Sequence, residues 1–200
     1  MSVDRTAYAH EANDTIQRLA RIGGATAPGT PAGFLGTVAN AFIPLLAMAI
    51  HQTGVARINY PPSLNDPQFE ALVITIHRAY YASLLTAVEA ACDGFARSQG
   101  LIPTPKPGRK GIEFAEYLEA ALSQSSMKPT RKTYWRKYFD GLRILRNKCS
   151  HFRNVFETNE KVILRDADLS KYVGPNDDMQ TQPADYVLVA KKALSFLREL

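Results

Sequence analysis

Apolar residues along this chain recur mostly at steps of three and four, the period of one helix face, and only briefly at steps of two. The longest such run starts at Asp66, read as an N-cap with Pro67 in the tolerated first helical position, and stops at Gly100. Inside it Phe69, Val73, Ile76, Tyr80, Leu84 and Val88 hold one face, and at about 1.5 Å per residue the rod is roughly 50 Å long. Residues 4–22 predict an earlier helix, closed by Gly23-Gly24 and a loop rich in Gly, Pro and Thr. Residues 33–53 predict a largely apolar helix, kinked at Pro44, where the missing N–H breaks the ladder. Residues 112–122 and 130–149 read as two more, the second with Tyr134, Tyr138, Leu142 and Leu145 as its core stripe and Trp135 on the solvated side. Short apolar runs at 155–156 and 162–164 suit a small hairpin or irregular excursion within 155–178, and 183–200 closes the chain as a helix. The pattern makes the fold class all-α, a helical bundle. Residues 1–58 are expected to be an N-terminal helical segment that packs on a bundle formed by 59–200.

Composition narrows this picture without changing it. At 46% hydrophobic and 22% charged residues the chain is ordinary for a globular protein, which excludes wholesale disorder. Lys and Arg number 24 against 19 Asp and Glu, a net charge of +5, so the distribution of charge matters more than its sum. Cys92 and Cys149 form neither a disulfide framework nor a zinc pattern; reduced thiols and a cytoplasmic location are expected. Residues 1–14 are polar, with no apolar core of a signal peptide. Residues 33–50 approach the lower length of a membrane span, yet they include Gly36, Thr37, Asn40 and Pro44 and lack flanking basic clusters. A buried or partner-facing helix, and no membrane, is the expectation.

The chemistry concentrates in residues 142–153, which read Leu-Arg-Ile-Leu-Arg-Asn-Lys-Cys-Ser-His-Phe-Arg. Asn147 and His151 are four apart, neighbours on a continuing helix, where an amide can orient an imidazole and leave its other nitrogen for proton transfer. Arg146 and His151 are five apart, about 140° around a regular helix. They converge only if the helix ends between them or a second copy packs across the site. Between Lys128 and Arg153 nine basic residues face one acidic residue, Asp140, with Tyr134, Trp135, Tyr138, Phe139 and Phe152 interleaved. A surface of this kind neutralises phosphates and offers aromatic faces to unpaired bases. The competing reading assigns the aromatics to the core and the charges to an ordinary solvated face.

Arg146-Asn147-x-x-x-His151 resembles the Arg-polar-x3-His signature of HEPN domains. The stretch Arg78-Ala79-Tyr80-Tyr81-Ala82 is similar to the opening of the first long helix in HEPN families paired with minimal nucleotidyltransferases. The resemblance covers about residues 66–153, plus the closing helix by position. It implies an HEPN-like up-and-down bundle with an extra N-terminal helical segment, a homodimer, and a shared cleft lined by both copies of the motif. Catalytic members are metal-independent endoribonucleases, in toxin, stress or defence systems. By resemblance His151 is the general acid or base, Arg146 stabilises the charged transition state, and Asn147 orients His151 or contacts phosphate. Lys148, Arg143, Arg153, Arg78 and Tyr81 are the expected substrate-binding residues. RNA and an antitoxin or regulatory protein are the expected partners, and no cofactor is expected.

The chain departs from the family pattern at Arg153, where members silenced by nucleotidylation carry Tyr two residues after the His, so that regulation is not carried over. His10 and His51 have no companion ligands, and His77 suits either packing or the cleft. Cys149 is spaced wrongly to pair with His151 as a nucleophile. Two further functions stay open: a non-catalytic HEPN domain that binds RNA, nucleotide or protein, and a helical assembly module that docks through residues 33–53.

Overall fold

The computed structural model describes residues 4–27, 30–54, 64–150 and 183–200. They form six helices and, among the described residues, no strand: α1 Arg5–Gly24, α2 Pro31–Gln52, α3 Asp66–Ser98, α4 Phe114–Gln124, α5 Pro129–Ser150 and α6 Pro183–Glu199. The all-α expectation holds. The expected excursion at 155–178 lies outside the described residues.

Local chemistry sets the ends. Thr30 caps α2 with Pro31 in its first turn, so the helix starts two residues before the position expected from hydrophobicity. For α3 the cap is Asn65, not Asp66. The Asn65 side chain accepts from the Gln68 N–H at 3.0 Å and the Gln68 side chain accepts from the Asn65 N–H at 3.1 Å, a reciprocal box that satisfies two orphan donors. At the far end the chain leaves α3 through Gly100, whose φ of 80° favours glycine. Pro44 lies inside α2 without ending it.

The rod α3 packs against α2, α4, α5 and α6, while α1 packs against α2 and α6. One apolar cluster runs through all six helices, from Tyr8 and Leu19 through Leu35, Tyr80, Leu118 and Trp135 to Phe196. The segment within 1–58 therefore shares its core with the rest. Windows of α2 and α3 have mean hydropathies of 1.8 and 1.3, long and apolar enough by composition to cross a membrane. Half of the α3 window is buried in the bundle, and only 33% of the α2 window.

Polar clasps fix the register between distant segments. The Arg5 guanidinium donates to the carbonyls of Gln52 at 3.2 Å and Leu64 at 2.7 Å and to Asp66 at 2.7 Å, joining the start of α1 to the end of α2 and the start of α3. It also lies 4.9 Å over the Phe69 ring. Glu11 accepts from the Ala184 N–H at 3.0 Å, satisfying an orphan donor at the start of α6.

Helix α1 and the turn that follows it approach α2 closely at two glycines. A Cβ at Gly36 would stand 1.8 Å from Thr26 Oγ1, and one at Gly23 would stand 2.1 Å from Asn40 Oδ1. At Gly94, inside α3, a Cβ would meet nothing within 4 Å. Gly36→Ala is therefore expected to lower stability by about 1–3 kcal/mol through overpacking. Gly94→Ala should raise it by about 0.5–1 kcal/mol through helix propensity. Urea unfolding of the two variants checks both signs.

Candidate functional site

The long basic helix α5 turns its aromatics inward. Trp135, Tyr138, Phe139 and Leu142 are all 0% exposed, and Tyr134 is half-buried at the edge. This corrects the expected phase: Trp135 belongs to the core, not to the solvated side. Its indole N–H donates to Glu199 at 2.9 Å, which removes the cost of burying that donor. Its ring meets Phe196 at 5.3 Å and Phe139 at 5.8 Å. These aromatic faces are spent on packing, so Trp135, Tyr138 and Phe139 offer nothing to unpaired bases.

Several of the basic residues are also engaged. Arg131 donates to both carboxylate oxygens of Glu199, at 2.7 and 2.5 Å, and lies 4.7 Å over the rings of Tyr134 and Trp135. Arg136 grips Glu119 on α4 at 2.6 and 2.8 Å. Arg143, expected to bind substrate, donates to Asp140 one turn earlier at 2.6 and 3.0 Å. Partly exposed pairs of this sort are worth between about 0 and 1 kcal/mol each. Their larger effect is on the field, since three of the nine basic residues between Lys128 and Arg153 come with a carboxylate attached.

Arg146 is half-buried, and its charge reaches Glu89 on α3. Burial raises the Glu89 carboxyl above its ordinary range, against the pull of Arg146 and with the push of Asp93. The last turns of α5 thus stand beside a carboxyl pair on the rod. Glu89 and Asp93, four residues apart, carried the only signal for this in the sequence. Asn147 and Lys148 belong to the last turn of α5, their side chains outside the described set, and His151 and Arg153 lie outside the described residues.

The two expected contributors from α3 separate. Arg78 is half-buried and eleven residues before Glu89, about 16 Å along the same side of the rod. Tyr81 is 1% exposed and packs edge-on against Tyr80 at 5.8 Å and Tyr186 at 6.4 Å. It is a core residue in this fold, which corrects its assignment to substrate. The reason is the partner ring on α6, which a local reading of the Tyr-Tyr element does not contain.

That partner organises a buried polar knot. The Tyr80 hydroxyl donates to the Tyr186 carbonyl at 2.7 Å and the two rings stack at 4.2 Å. The Tyr186 hydroxyl shares a hydrogen bond with His77 Nδ1. Nε2 of His77 is buried without a hydrogen-bond partner among the described residues. His77 is thus a packing residue, and burial pushes its pKa down to about 3. Burial likewise pushes the Tyr80 and Tyr186 hydroxyls above their ordinary range.

Between α4 and α5 the surface opens into a groove of about 170 Å³. Phe114, Ala115 and Leu118 make its floor; Glu119, Arg136, Asp140 and Arg143 make its rim. It is smaller than the roughly 300–1,000 Å³ of pockets that enclose a drug-sized ligand, so it suits one ring or one side chain. On α5 its lining residues Arg136, Asp140 and Arg143 step by four and three, and Asn147 follows four later. Compared with known protein families, curated proteins and solved structures, the chain shows no significant match.

The knot carries a pH prediction. Above about pH 6.5 His77 is neutral folded and unfolded and adds no pH dependence. Below that value the unfolded imidazole takes a proton that the buried one refuses until about 3, so stability falls as pH falls. The slope is about 1.4 kcal/mol per pH unit. Urea midpoints measured from pH 6.5 down to 5 should drop steeply in the native chain. His77→Gln should start lower and drop less.

Proposed function

We propose that the protein is a metal-independent endoribonuclease of the HEPN type, cutting RNA at a cleft shared by two copies of the chain. The observation that carries this reading is the position of Arg143, Arg146 and Asn147 in the last turns of a long helix beside the central rod. That is the position the sequence resemblance asks of its motif. In the reaction His151 takes the proton of the ribose 2′-hydroxyl as general base, and the 2′-oxygen attacks the adjacent phosphorus. Arg146 stabilises the added negative charge, and the 5′-oxygen leaves with a proton from a protonated His151 of the shared cleft, giving a 2′,3′-cyclic phosphate end. Arg143 and Lys148 add phosphate contacts along the same helix, and an antitoxin or regulatory protein would act by covering them.

The burial of the aromatics and the pairing of the arginines favour a second reading, a non-catalytic HEPN-like domain that binds RNA or a protein without cutting. Both readings are separated by one assay on structured RNA in EDTA. The first expects cleavage by the native chain, cyclic phosphate ends, and a loss of about 10²–10⁴-fold in His151→Ala and in Arg146→Ala. Binding without cleavage supports the second. Equal cleavage by the native chain and His151→Ala rejects the first.

A further inference from the structure

Five large apolar side chains stand exposed among the described residues, and three of them share α2: Phe34, Leu45 and Met48, at 47, 36 and 61%. They are not scattered. Phe34, Val38, Ala41, Leu45, Met48 and Gln52 step by four and three throughout, the 3.5-residue period of a seam between two helices. The core face of α2, with Leu35, Ala39, Phe42, Leu46 and Ala49, lies about a third of a turn away. So α2 carries a second apolar stripe, and of its members only Val38 also packs against the core cluster.

We infer that the second face of α2 is a self-association surface, on which the α2 of a second copy docks antiparallel about a two-fold axis at Ala41. Three properties of the face select that occupant. First, the stripe is symmetric about Ala41: Phe34 and Met48 are each seven residues away, and Val38 and Leu45 are three and four. An antiparallel pair sets Phe34 of each copy against Met48 of the other, a ring–thioether contact, with the small Ala41 at the crossing. Second, Pro31–Gln52 contains no Lys, Arg, Asp or Glu, so two positively charged chains meet there without repulsion or buried charge. A lipid surface would instead be met by basic residues beside the apolar stripe, and here the flank is Thr37, Asn40 and His51. Third, the area sets the strength of the contact. A strip some 33 Å long and 10 Å wide is about 330 Å² per copy, within the range of functional patches on monomers. Doubled, it falls short of the roughly 1,200 Å² of a standard stable interface, so the pair is reversible. The inference stands whether or not α5 cuts RNA.

Sedimentation velocity on the full chain without RNA, from micromolar to hundreds of micromolar, tests it. A reversible, concentration-dependent association step is expected, weakened at least tenfold in Leu45→Glu and in Met48→Glu, with helical content by circular dichroism unchanged. A mixture of Phe34→Cys and Met48→Cys chains, each also carrying Cys149→Ser, should form mixed disulfide dimers in preference to either homodimer. A monomer throughout, association that both glutamates leave unchanged in strength and stoichiometry, or preferential Met48→Cys homodimers would overturn the inference. So would co-flotation with phosphatidylcholine vesicles, lost in Leu45→Glu, in place of self-association.

Discussion

The burial of one indole decides what α5 can do. Trp135 enters the core because Glu199, near the end of α6, accepts its N–H and at the same time holds Arg131. With Trp135 inward, Tyr138, Phe139 and Leu142 follow it by helical periodicity, and Arg136, Asp140 and Arg143 must turn out toward α4. The groove, the arginine pairs and the position of Arg146 beside Glu89 all follow from that one rotation. The pairing acts on Glu199 too: the hydrogen bonds from Arg131 and Trp135, against the opposing effect of burial, hold its carboxyl below its ordinary range.

Much of the fold was legible because it rests on local rules. The long rod α3 has an unbroken apolar face, a Pro in its first turn and a glycine just beyond its end, and its limits moved by a residue or two. The cap passed from Asp66 to Asn65 since only Asn65 has Gln68 three residues on to complete the box. The two faces of α2 were not separable in sequence. A helix apolar nearly all round has no periodic contrast to read, and burial alone shows which side the bundle takes.

The site was less legible, for a physical reason. Residues 134, 135, 138, 139 and 142 are apolar on two overlapping faces about 100° apart, and either could have been the core. The partner that chooses, Glu199, lies 64 residues from Trp135. The same distance hides the arginine pairs: Glu119 is 17 residues from Arg136, and Glu199 is 68 from Arg131. A basic run in sequence therefore overstated the field at the surface, and the Tyr81 ring was assigned to a ligand before its contact on α6 was visible. The motif itself, Arg146 to His151, remains a matter of residue type and spacing.

The chain contains a single tryptophan, so its fluorescence reports on the rotation of α5 without interference. If Trp135 is seated as described, native emission is blue-shifted and nearly immune to iodide and acrylamide, and it shifts red only as urea unfolds the bundle. Emission in the native state that already resembles free tryptophan and is quenched by iodide would place the indole in water. In that case α5 would face the other way, and the groove, the paired arginines and the setting of Arg146 would all be wrong.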